Sequence, residues 1–116
     1  MPKYMLLLHD DPSIFSTLSP ADIQKVIEKY MAWGNRLRQA GIITESAKLT
    51  DEPGRIVRGR GADMRVTDGP YSETKEVLGG YFTIVADHYE HAAQRAADCP
   101  HLEYGGTIEI REVDAV

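Results

Sequence analysis

Five consecutive apolar residues, Tyr4-Met5-Leu6-Leu7-Leu8, stand near the start of the sequence. A strand with one wet face alternates apolar and polar side chains, because successive side chains point to opposite faces. This run does not alternate, so a strand built from it needs cover on both faces. Helices of the same small domain can cover one. Something else must cover the other.

The next segment supplies the first helix. Ser19 is suited to the N-cap, Pro20 to the first helical position, and Asp22 follows at capping-box spacing. Ile23, Val26, Ile27, Tyr30, Trp33 or Gly34, and Leu37 recur at helical spacing and predict one apolar face as far as Ala40. Gly41 then suits the position just past a helix end. Residues 42–49 read as a second strand and 50–54 as a turn cluster. Residues 55–60 and 63–67 read as a hairpin carrying exposed arginines. Residues 80–86 are aromatic and β-branched, which predicts a buried strand. Asp87, with Glu90 three residues on, predicts the start of a second helix whose face is Tyr89, Ala92, Ala93 and Ala96 and which Pro100 stops. Residues 107–113 form the last strand, Ile108 and Ile110 facing one way, Thr107, Glu109 and Arg111 the other.

The order β-α-β, hairpin, β-α-β predicts an α+β ferredoxin-like sandwich, with an antiparallel sheet and two helices on one face. One domain fits 116 residues. The face that the helices leave bare is expected to meet the same face of a second copy, since two-fold dimers are the commonest assemblies.

The densest stretch runs from Val66 to Phe82. Asp68 follows a β-like run and is expected to tie a turn by accepting a backbone N–H two residues on. Pro70 ends the strand. Gly79 and Gly80, entering the next strand, suggest a bulge or a close backbone approach. Between them lie Glu73, Lys75 and Glu76, on a loop anchored at both ends. This stretch resembles the signature of the YCII-related proteins, in the subgroup named for an Asp-Gly-Pro-Phe (DGPF) motif. Asp68-Gly69-Pro70 match and Tyr71 stands in place of the usual Phe, while Glu73-Thr74-Lys75-Glu76 and Leu78-Gly79-Gly80-Tyr81 follow the pattern. The resemblance extends to residues 3–7, Ala40-Gly41 and residues 97–100, and so covers nearly the whole chain. It implies a dimeric α+β barrel. It also implies a link, in the DGPF type, to alternative sigma factors.

Four residues are candidates for chemistry in a sheet-face pocket. Asp68 and Glu73 offer a carboxylate pair, one a base and one an orienting group. Lys75 can balance an anionic substrate or polarise a carbonyl. His9, at the end of the first strand beside Asp10, is a candidate general base. The resemblance points to a His–Asp pair in some family members. Neighbours on a strand face opposite ways, so His9 and Asp10 do not form one simply by adjacency. Each candidate has a plainer reading: a turn tie for Asp68, a surface ion pair for Glu73 and Lys75, a solvated strand end for His9. His88 and His91, three residues apart, read as a solvated helix surface rather than metal ligands.

The net charge of −5 argues against a nucleic-acid surface. The chain shows no basic-then-apolar leader and no long apolar run, which predicts no membrane association. A single cysteine, Cys99, excludes an internal disulfide and fits a reducing cytoplasm. No cofactor or metal motif is visible. Two functions follow as expectations. One is a cofactor-free enzyme doing acid–base chemistry, of lyase or isomerase type, on a small molecule. The other is a non-catalytic ligand-binding or accessory module linked to sigma-factor-dependent transcription.

Overall fold

The computed structural model describes residues 1–69 and 76–115. The first strand, β1 (Lys3–Asp10), is central in a four-stranded antiparallel sheet. β2 (Ile43–Lys48) and β5 (Val77–Val85) lie to one side of it, and β6 (Thr107–Glu112) to the other, in the order β2-β5-β1-β6. The helix α1 (Pro20–Gln39) joins β1 to β2, and α2 (Tyr89–Ala96) with the short α3 (Pro100–Glu103) joins β5 to β6. This is the ferredoxin-like sandwich. The hairpin β3 (Arg55–Arg58) and β4 (Arg65–Asp68) forms a separate two-stranded sheet between β2 and β5.

The first helix forms for the reasons its ends announce. Ser19 Oγ accepts the Asp22 N–H at 3.1 Å, with Pro20 in the first turn. At the other end Gly41 takes φ 76°, and the N–H groups of Gly41 and Ile42 donate to the carbonyls of Arg38 and Leu37. This is the left-handed closing turn that glycine permits. Val26, Trp33, Gly34 and Leu37 are buried and Tyr30 is half-buried. Ile23 and Ile27, expected in the apolar face, are exposed. The deeper residues Val26, Trp33 and Leu37 fall within a narrow arc of the helix. Ile27 lies about 100° around from Val26, on the flank of that arc, and Ile23 belongs to the first turn, ahead of the buried stretch.

The two-sided character of β1 is visible in its burial. Tyr4, Leu6 and Leu8 are buried in the core with Trp33, Leu37, Ile43, Ile84, Ala92 and Ala96. Met5 and Leu7, on the outer face, are half-buried. The molecule measures 20 Å across its thinnest direction, about the depth of one sheet and one helical layer. Cys99 belongs to the core at 2% exposure, and burial pushes its thiol up to about 11.

Three local expectations change. β5 begins at Val77 rather than at residue 80. The cap of α2 is His88, whose Nδ1 accepts the His91 N–H at 3.1 Å, while His91 Nδ1 accepts the Asp87 N–H at 3.0 Å. An imidazole lone pair thus does what the Asp87 carboxylate was expected to do, and both rings are used at the helix end. Pro100 does not stop α2, which already ends at Ala96. It starts α3, since proline lacks only an N–H that the first helical turn leaves unpaired.

Asp98 fastens α1 to the segment after α2. Trp33 Nε1 donates to its Oδ1 at 2.9 Å and Arg36 Nη2 to its Oδ2 at 2.7 Å. The Trp33 hydrogen bond first, then Arg36, holds the Asp98 carboxyl below its ordinary value against some burial. A depressed carboxyl stabilises the fold fully above the unfolded pKa of about 3.9, and that stabilisation is lost as pH falls through the folded value. The melting midpoint is therefore expected to drop below about pH 4, and Asp98→Asn to drop less. With the side chain 64% exposed, the effect is about 0.5–1 kcal/mol, and identical acid melts of the two proteins would refute it.

Candidate functional site

The outer face of the sheet brings together residues far apart in the chain. On β1, alternation puts Met5, Leu7 and His9 on this face. Register places Thr107 opposite His9, Glu109 opposite Leu7, and Tyr81 of β5 opposite Leu7 on the other side. His9 Nε2 lies 3.1 Å from Glu109 Oε1, a diagonal cross-strand contact on one face. Arg111 Nη1 approaches the second carboxylate oxygen at 3.4 Å. The hydrogen bond from His9, then that from Arg111, holds the Glu109 carboxyl below the usual carboxylate range. The His9 side chain is 28% exposed and that of Glu109 43%. Thr107 Oγ1 donates to Glu76 Oε1 at 3.2 Å, which brings Glu76, just ahead of β5, to the same place.

The chemistry of the pair follows from its hydrogen bond. A carboxylate only accepts, so Nε2 of His9 carries the hydrogen. In the neutral ring the lone pair then sits on Nδ1. An imidazole oriented by a carboxylate at one nitrogen, with the lone pair on the other, is the arrangement of a general base.

The glycines at the start of β5 shape this end of the sheet. Leu8 pairs with Gly80 but His9 with Leu78, so Gly79 is the extra residue of a bulge. A side chain on Gly80 would put Cβ 2.7 Å from the Ala47 carbonyl oxygen, so the adjacent strand approaches as closely as it does only because glycine is there.

The sequence candidates separate. His9 is on the outer face, and its carboxylate partner is Glu109, not Asp10; adjacent strand residues face apart. Asp68 lies on β4 of the hairpin sheet, 90% exposed at its side chain and 3.6 Å from Arg55 Nε. The expected tie two residues on has no donor, because that residue is Pro70, which lacks an N–H. Among the described residues His9 and Asp68 share no hydrogen bond or ion pair. Glu73 and Lys75 lie outside the described residues. Sequence alternation gives Glu109 only a place on the strand face opposite Ile108 and Ile110. That names a face but not a partner. The buried His101 carries no sequence signal that singles it out. Among the described residues no group of three or more His, Cys, Asp or Glu is placed to hold a metal ion. Nor, among the described residues, is any helix long and apolar enough to cross a membrane.

The model of the YCII-related domain matches residues 2–115. The chain belongs to the YCII-related domain family. An uncharacterised protein of Rhizobium meliloti (strain 1021) is 27% identical to it over 110 residues, covering 93% of this chain and 89% of that protein. In this YCII-related chain, then, the family's domain spans both the ferredoxin-like sheet and the hairpin sheet, and the His9–Glu109 pair lies inside it.

Proposed function

We propose that the outer sheet face is a small-molecule site, cofactor-free and of acid–base type, with His9 as general base and Glu109 as the group that orients it. The observation that carries this reading is the 3.1 Å contact between His9 Nε2 and Glu109 Oε1, beside half-buried Met5, Leu7 and Tyr81. Apolar walls with a few convergent polar groups suit a small polar or aromatic ligand. Proton abstraction next to a carbonyl, followed by elimination or isomerisation, is the reaction class such a base serves. The outer face of a second copy supplies the missing wall, making a homodimeric α+β barrel. Asp68, at the end of β4, enters the proposal with Glu73 and Lys75 on sequence grounds only, as charges of the stretch that leads to Glu76. The DGPF-type assignment rests in the same way on Asp68-Gly69-Pro70-Tyr71.

One observation favours the second reading, a ligand-binding or accessory module without catalysis. Two shallow hollows among the described residues lie away from this face. One is an open groove lined by Lys29, Trp33, Arg36 and Asp98; the other is on the hairpin beside Arg58 and Arg65.

The two readings separate by a nitrogen-15 NMR screen with small carboxylic acids and phenols, run beside sedimentation analysis. The enzyme reading expects a dimer, with shifts centred on Leu7, His9, Tyr81 and Thr107. It expects His9→Ala to weaken binding at least tenfold, about 1.4 kcal/mol. A monomer, or ligands that gather in the α1 groove and ignore His9→Ala, would sink it.

A further inference from the structure

A second histidine acts on the same strand from the helix side. His101, in the first turn of α3, is 4% exposed. Its Nε2 lies 2.7 Å from the backbone carbonyl oxygen of His9, and its Nδ1 2.8 Å from the hydroxyl of Tyr30 on α1. A carbonyl only accepts, so Nε2 carries the hydrogen. In the neutral ring Nδ1 is then the acceptor, and Tyr30 donates to it. Burial raises the pKa of the Tyr30 hydroxyl, which keeps that hydrogen in place. The two partners therefore set one tautomer and one ring orientation. Gly106 closes the remaining side, because a Cβ built there would overlap the imidazole.

The carbonyl that His101 holds lies at the irregular point of β1. The register slips between Leu8 and His9, where Gly79 bulges out of β5. A bulge interrupts the ladder and leaves local backbone less constrained by its neighbour. His101 acts there from outside the sheet. In His9 a single torsion, ψ, relates the direction of the carbonyl to that of Cβ, so gripping the oxygen limits where the side chain points.

We propose that His101 is a positioning residue for the His9–Glu109 pair: by holding the His9 carbonyl at the bulge, it aims the His9 ring at Glu109 on the opposite face. The inference rests on the reading of that pair as the functional centre. It adds a third element, the α3 segment with its Tyr30 brace, to a site otherwise made of two strands. A merely structural histidine would satisfy the same carbonyl without affecting the His9–Glu109 hydrogen bond beyond the sheet.

The test follows the Glu109 carboxyl carbon by NMR titration in the full-length chain. In the wild type the Glu109 midpoint is expected to lie low, and His9→Ala is expected to raise it. His101→Ala is expected to raise it most of the way to the His9→Ala value. His101→Gln, whose side-chain amide can donate to the same carbonyl, returns it toward wild type. A folded His101→Ala protein with the wild-type midpoint overturns the positioning role alone. A Glu109 midpoint that His9→Ala does not move overturns the pair and the positioning role together. Should His101→Ala fail to fold, Tyr30→Phe keeps the ring and removes only its brace. A smaller rise is then expected, and no rise overturns the proposal.

Discussion

Trp33→Ala is expected to lower the unfolding free energy by about 3–5 kcal/mol, the range for removing a large buried aromatic side chain. Trp33 is 4% exposed and stands at the centre of the α1 face. Its ring meets Phe82 of β5 edge-on, with centroids 5.1 Å apart, so it joins the helix layer to the sheet. Its Nε1 also donates to Asp98. The Asp98 carboxylate is largely exposed and keeps Arg36, so losing the Trp33 hydrogen bond is the smaller part of the cost. The larger part is the cavity, which the backbone of a 20-residue helix closes only partly. Trp33→Phe fills most of that space and is expected to cost clearly less. Urea unfolding followed by far-ultraviolet circular dichroism measures both, since Trp33 is the chain's only tryptophan and its fluorescence goes with it. A loss under about 1 kcal/mol for Trp33→Ala would mean that α1 does not anchor the core as described.

Gly106→Ala should be the next most damaging change, although it adds one methyl group. That methyl would overlap the His101 ring, which is buried and held between Tyr30 and the His9 carbonyl, so withdrawing it would break those hydrogen bonds. Overpacking of this kind costs about 1–3 kcal/mol. If the ring is forced off its partners, a buried carbonyl or hydroxyl left without one adds about 1–3 kcal/mol. A double-mutant cycle checks the cause. His101→Ala makes room for the new methyl, so the double variant should be more stable than the sum of the single losses predicts. Simple additivity would show that the damage of Gly106→Ala lies in the backbone and not against the ring.

Both predictions depend on how much of the molecule was legible from local pattern. The helix signals at Ser19, Pro20 and Gly41 are local, and the structure follows them closely. The exchange of Asp87 for His88 as the α2 cap is a local error of one residue, because a ring nitrogen can replace a carboxylate oxygen. The exposed Ile23 and Ile27 are a different case. Helical periodicity says which side of a helix is greasy, but not how far along its length the sheet beneath extends.

Taken by itself, the sequence determined the order of the elements, the antiparallel sheet with helices on one face, and the apolar residues on both faces of β1. Those follow from periods of two and about 3.6 residues, which operate within a few positions. Only the tertiary structure decided that His9 meets Glu109, and that His101 and Tyr30 reach the same strand from behind. These contacts depend on how β1 aligns with β6, on a one-residue bulge at Gly79, and on where α3 lands after α2. A strand's alternation names the face on which a side chain lies. Which distant residue shares that face at hydrogen-bonding distance is set by register, and register is a property of the assembled sheet.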